Sequence, residues 1–168
     1  MILTLIVLLF NSAPIPSKIE WSENYKLKFE DFKGKKKITN KPTGEIKIDI
    51  SWNSKQYEGE VPTYIIQNKF DCENSWISMN HIELIKEYQF LWNLQELYVR
   101  KARKIVDELN KKKVLNTIEY ENVIRKQISI LQNQKNRYNG VLQNQPDLYR
   151  IVEKKYKDSL QLYKDYKL

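Results

Sequence analysis

"LIKEYQFLWNLQELYVRK", residues Leu84–Lys101, decides how this chain folds. Ile85, Tyr88, Leu91, Trp92, Tyr98 and Val99 recur every three or four residues, and the spacing continues through Ala102, Ile105, Val106 and Leu109. That is the period of a helix with one apolar face. Asn80 is placed to cap it and Glu83 holds the reciprocal capping position, so the spacing predicts one helix of about eight turns.

Two more helices follow. The second is expected from Asn116, with Glu119 three residues on, to about Tyr138 through Tyr120, Val123, Ile124, Ile128 and Leu131. The third opens at Pro146, suited to a first helical position, and carries Tyr149, Val152, Tyr156, Leu160 and Tyr163 on one side. That aromatic stripe reads as core rather than as a ligand platform.

Ahead of the long helix the period drops to two. "YKLKFEDF" alternates Tyr25, Leu27 and Phe29 with charged neighbours, and "GEIKIDISW" alternates Ile46, Ile48, Ile50 and Trp52 with Glu45, Lys47, Asp49 and Ser51. Both predict half-buried strands. "TYIIQNKF" (Thr63–Phe70), opened by Pro62 and closed by the polar run "DCENS", is a third strand candidate. The expectation is α+β: a small, mainly antiparallel N-terminal sheet packed on a long central helix, with two further C-terminal helices.

The 168 residues suffice for one domain with one core, and 41% hydrophobic with 30% charged residues is the composition of a folded protein. The unbroken apolar run Ile2–Phe10 has the length of a secretory signal and about half that of a membrane span. Residues 1–17 are therefore read as a signal peptide and 18–168 as one exported domain, periplasmic or extracellular, with no stable membrane span. No Lys or Arg precedes the run, and Pro14 would follow a cut at Ala13, which keeps an uncleaved short anchor and a buried N-terminal strand as alternatives.

A single cysteine, Cys72, excludes an internal disulfide and any two-cysteine metal site. Its neighbours Asp71 and Glu73 should raise a thiol pKa, the opposite of what a nucleophile requires. The net charge of +8 comes from 29 Lys and Arg against 21 Asp and Glu, scattered except at Lys33–Lys37 and Lys111–Lys113, both expected in loops. No nucleic-acid-binding motif accompanies them, so a solvated surface is the plain reading. Neither a Gly-x-Ser-x-Gly elbow nor a phosphate-binding Gly-rich loop occurs among the four glycines.

Three segments together resemble the DUF922 family of secreted bacterial proteins, described as zinc-dependent peptidase-like. "IEWSENYKLKFEDFKG" (Ile19–Gly34) is similar to its Trp-Ser opening with an aromatic-acidic-acidic-Phe-Lys-Gly ending. "FDCENSWI" (Phe70–Ile77) is similar to its Phe-Asp then Ser-Trp segment, and "ELYVRK" (Glu96–Lys101) resembles the end of its metal helix. Order and spacing run from Ile19 to about Lys101, roughly half the chain.

The resemblance implies a zincin-like fold whose central helix would carry His-Glu-x-x-His. In register from Glu96, those positions are Glu87, Tyr88 and Leu91, and a downstream third ligand falls at Asn144 in "YNGVLQNQ". All four are replaced. Two imidazoles four residues apart would grip Zn²⁺ and the intervening carboxylate would take a proton from its water. Leu91 has no lone pair, and a phenol such as Tyr88, with an ordinary pKa near 10, is a poor base. The one histidine, His81, precedes Glu87 by six residues, about 240° around a helix, and is read as a surface or capping residue.

The leading expectation is a non-catalytic, degenerate zinc-peptidase homologue with no metal and no cofactor, in which Tyr88, Leu91 and Trp92 have become core. It would act as a structural module or hold an extended peptide or protein partner along a sheet edge, at Ile46–Trp52 or Thr63–Phe70. A metallopeptidase rebuilt around Glu87 and a basic adaptor for an anionic surface, using the two lysine clusters without nucleic-acid specificity, stand as alternatives.

Overall fold

The computed structural model describes residues 16–138 and 145–168. The leader expected over residues 1–17 lies outside them except for its last two, and Asn144 lies outside altogether. The fold is α+β. Strands β1 (Lys18–Glu20), β4 (Thr63–Asp71) and β3 (Ile48–Lys55) form an antiparallel sheet in the order β1-β4-β3, and β2 (Gly44–Glu45) pairs with β5 (Trp76–Ile77) in a separate ribbon. Helices α1 (Ile82–Lys111), α2 (Thr117–Tyr138) and α3 (Pro146–Leu162) follow.

Alternation in the sequence becomes one buried face. Along β4, Ile66, Asn68 and Phe70 are buried, whereas Thr63 and Ile65 are exposed. The register sets Ile48, Ile50 and Trp52 of β3 opposite Phe70, Asn68 and Ile66. Helix α1 lies across this face. Phe70 meets Trp92 at a 5.7 Å ring separation, and Ile66 packs with Val99, Ala102 and Val106. Burying each such large side chain contributes roughly 1.5–3 kcal/mol.

The stripe on α3 is core, as its spacing predicts. Phe90 of α1 meets Tyr138, Tyr149 and Tyr156 edge-on at 5.6, 6.0 and 6.0 Å. The α1–α2 joint closes as a Schellman turn, with Val114 N donating to Leu109 O at 3.2 Å and Lys113 N to Asn110 O at 2.9 Å. Lys113 occupies its left-handed position, φ 56°. The Tyr120 hydroxyl pins the turn through Asn110 Oδ1 and Val114 O, both at 2.9 Å.

Three sequence expectations need correction. Tyr25–Phe32 is not a strand. The Asp31 carboxylate accepts from Lys28 N at 2.7 Å and the Tyr25 hydroxyl at 2.8 Å, which folds the stretch into a 3-10 turn, Phe29–Asp31. Its alternation still points Tyr25, Leu27 and Phe29 at the core. The strand expected from Gly44 to Trp52 breaks at Ile46–Lys47, where Lys47 N donates to Ser75 Oγ and Lys47 O accepts from Asp71 N, so its two halves join different sheets. The cap of α1 is His81, whose Nδ1 accepts from Leu84 N at 3.4 Å, rather than Asn80.

A candidate binding cleft

Helical register carries two of the three aligned helix positions to one place. Tyr88 and Leu91, one turn apart on α1, line an open cleft of 340 Å³. Its second wall is the extended stretch Gly44–Ile48, and its third is Gln132, Lys135 and Asn136 of α2. Glu87 is buried and does not line the cleft. Trp92 is fully buried in the core beneath. The expectation that Tyr88 and Leu91 simply fill core space is therefore half right: each is nearly covered, yet each shows one side to the cleft.

The cleft's chemistry follows from these residues. Burial raises the Tyr88 phenol well above its ordinary value, with the Glu87 and Glu45 charges adding to the effect, so it stays protonated at any working pH. Gly44 permits the close approach of β2 to the β5 backbone first and to Tyr88 of α1 second. A Cβ there would lie 2.5 Å from Trp76 O and 3.0 Å from the Tyr88 hydroxyl.

Across the cleft, burial pushes the Lys135 ammonium down to about 8; Asp49 draws it back up and Lys47 lowers it further. Lys135 Nζ donates to Gln95 Oε1 at 2.6 Å. This is the end of a buried polar chain that the sequence reading missed. Gln95 Nε2 donates to Asn68 Oδ1 at 2.8 Å, Asn68 Nδ2 donates to Glu96 Oε2 at 3.2 Å, and Glu96 Oε1 accepts from Arg100 Nε and Arg103 Nη1, both at 3.1 Å. Its signal lay in the apolar stripe of α1, which skips from Trp92 to Tyr98 where Gln95 and Glu96 take the inward positions.

The other singled-out residues stay apart from the cleft. His81 caps α1. Cys72 is buried in the core, its thiol pushed up to about 11 by burial first and the Asp31 charge second. In the Lys33–Lys37 loop, Lys36 lies over the Phe29 ring at 4.2 Å and Lys37 over Trp76 at 5.4 Å; at the end of α1, Lys111 pairs with Asp107 at 2.7 Å. Among the described residues, no group of three or more His, Cys, Asp or Glu side chains is arranged to hold a metal ion. Among them, too, no helix is long and apolar enough to cross a membrane. No family model, curated protein or solved structure matches the chain.

Proposed function

We propose that this chain is a non-catalytic, zincin-like exported domain that holds an extended peptide in the cleft between α1 and Gly44–Ile48. The observation that carries this reading is the pairing of Tyr88 and Leu91 with an edge strand. Two of the three helix positions that the DUF922 resemblance aligns with a zinc-binding motif, Tyr88 and Leu91, border a groove, and neither side chain can ligate zinc or accept a proton at neutral pH; the third, Glu87, is buried away from it.

The backbone favours the same occupant. Lys47 turns both its N–H and its C=O inward, to Ser75 and Asp71. Successive residues of an extended chain point their backbone groups to opposite sides, so those of Ile46 and Ile48 turn to the outer edge. An extended guest can pair with them while its side chains meet Leu91 and Lys135. Of the two candidate edges in the sequence, β4 is central in its sheet and β3 is at its edge, which supports the Ile46 side as the one that holds the guest.

The test is a heteronuclear titration of the whole protein with a reduced, unfolded polypeptide. Amide shifts at Gly44–Ile48, abolished by Leu91→Arg in a folded variant, are the expected result. Near-stoichiometric zinc in the purified protein, or chelator-sensitive cleavage of the polypeptide, overturns the reading in favour of a rebuilt peptidase.

A further inference from the structure

A second cleft, of 370 Å³, lies on the other flank of α1, between that helix, the Trp21–Lys26 segment and the end of α3. Lys26, Arg100, Lys157, Lys164 and Lys167 line it with one carboxylate, Glu23, while Glu96 and Glu153 pair with Arg100 and Lys157 from outside, which leaves an excess of two positive charges. Glu23 is engaged at the rim, where it accepts from Lys167 Nζ at 3.2 Å and its backbone carbonyl accepts from Lys26 Nζ at 3.3 Å.

The inner surface is built from donors. Arg100 is 3% exposed; it gives Nε to Glu96 and Nη1 to Leu160 O, and its Nη2 finds no acceptor among the described residues. A buried donor without an acceptor costs about 1–3 kcal/mol, a cost that an anionic oxygen would offset. Asn93 accepts from Trp21 Nε1 at 3.0 Å and Gln89 Nε2 at 2.9 Å, both on its Oδ1, which leaves its NH₂ as a donor. The Asn93 backbone carbonyl is already taken by the Tyr156 hydroxyl. Trp21, which lies against the Arg100 guanidinium at 5.2 Å, and Leu160 supply apolar wall.

Cations at the end of a helix are also explained by its dipole. That accounts for Lys164 just past the end of α3, and Lys157 is paired with Glu153 at 3.2 Å, but a helix end carries only about half a unit charge. Lys26 and Arg100 come from other elements, and the excess remains. We propose that this cleft binds a phosphorylated small molecule, with the phosphate among Arg100, Asn93 and the lysines and its organic part against Trp21 and Leu160. Phosphate fits better than carboxylate for a geometric reason. The planar fork of Arg100 that would clasp a carboxylate is spent on Glu96 and Leu160, whereas lysines from several sides suit a doubly charged tetrahedral group.

Phenyl phosphate is the probe, titrated into the full chain at constant ionic strength and followed by the Trp21 indole, Asn93 amide and Arg100 Nε resonances. Saturable shifts at these three groups are expected, with benzoate at least about tenfold weaker. Replacing the exposed pair Lys157→Gln and Lys164→Gln should weaken phenyl phosphate about tenfold, the scale of one lost charge-assisted bond, with an unchanged melting temperature. Lys111→Gln, at the exposed end of α1 away from both clefts, should leave it unaltered. Absence of saturable shifts, shifts centred on Lys33–Lys37 or Lys111–Lys113, or equal affinity for benzoate overturns the proposal.

Discussion

Lys135 Nζ reaches Gln95 Oε1 at 2.6 Å, so the ammonium on the rim of the cleft beside Gly44–Ile48 is wired to the polar chain inside the core. The same burial that enforces this bond lowers the Lys135 pKa to about 8, against about 10.4 for a free lysine. Between these values the unfolded chain binds more protons than the folded one. Stability therefore rises with pH from 8 towards 10 and is lowest below 8. Urea melts of the protein minus those of Lys135→Met, which cancel every other titrating group, should show a gain of roughly 1–2 kcal/mol across that window. A flat difference would mean that Lys135 titrates as a surface lysine.

Glu96 faces two guanidinium groups from within the core. Removing it by Glu96→Ala leaves Arg100 and Arg103 facing each other without their shared carboxylate, and breaking a buried pair from one side costs about 3–5 kcal/mol. Glu96→Gln, which keeps shape and accepts one bond, should lose less. Denaturant midpoints of the two variants decide it; equal and small losses would show that water screens the cluster.

Lys113 sits at φ 56°, where a Cβ is strained and glycine is not. Lys113→Gly should stabilise the α1–α2 turn by about 1 kcal/mol, because the Schellman hydrogen bonds do not involve the side chain. Thermal melts at matched salt are the check. Loss of stability would mean that flexibility gained by the unfolded chain outweighs the relief of strain.

Gly44→Ala should destabilise by about 1–3 kcal/mol, the usual range for forcing an extra methyl into a packed site. The nearer obstacle is the Trp76 carbonyl at 2.5 Å, a backbone atom, and the Tyr88 hydroxyl at 3.0 Å is secondary. Tyr88→Phe in the same chain should accordingly give little rescue. Full rescue would show that the strand, rather than the phenol, can give way.

The helices were legible because their apolar spacing reports local geometry, and α1 and α3 bury the stripes that the spacing marks. Tyr25–Phe32 misled because a strand and an irregular segment lying on a core alternate alike; only the Asp31 carboxylate, closing back on Lys28, separates them. The cleft was half legible. Register along α1 finds Tyr88 and Leu91 without any coordinates, whereas Lys135 lies 44 positions beyond Leu91 in sequence and acquires its low pKa only when α2 crosses beside Gly44–Ile48. Asn68 offered a clue, a polar residue in the inward register of "TYIIQNKF", whose meaning needs Gln95 and Glu96 opposite.

The sheet order also dictates an order of assembly. Strands β3 and β4, like helices α1 and α2, are neighbours in the chain, so each pair closes only a short loop. Strand β1 must return to β4 past everything between Trp21 and Pro62. Loop closure grows costlier with length, and a three-residue strand recovers little of that cost. Lys18–Glu20 is thus the final piece to dock and the first to let go. In native-state deuterium exchange, the amides of β1 should open independently of the rest, while those buried between β4 and α1 report only global unfolding.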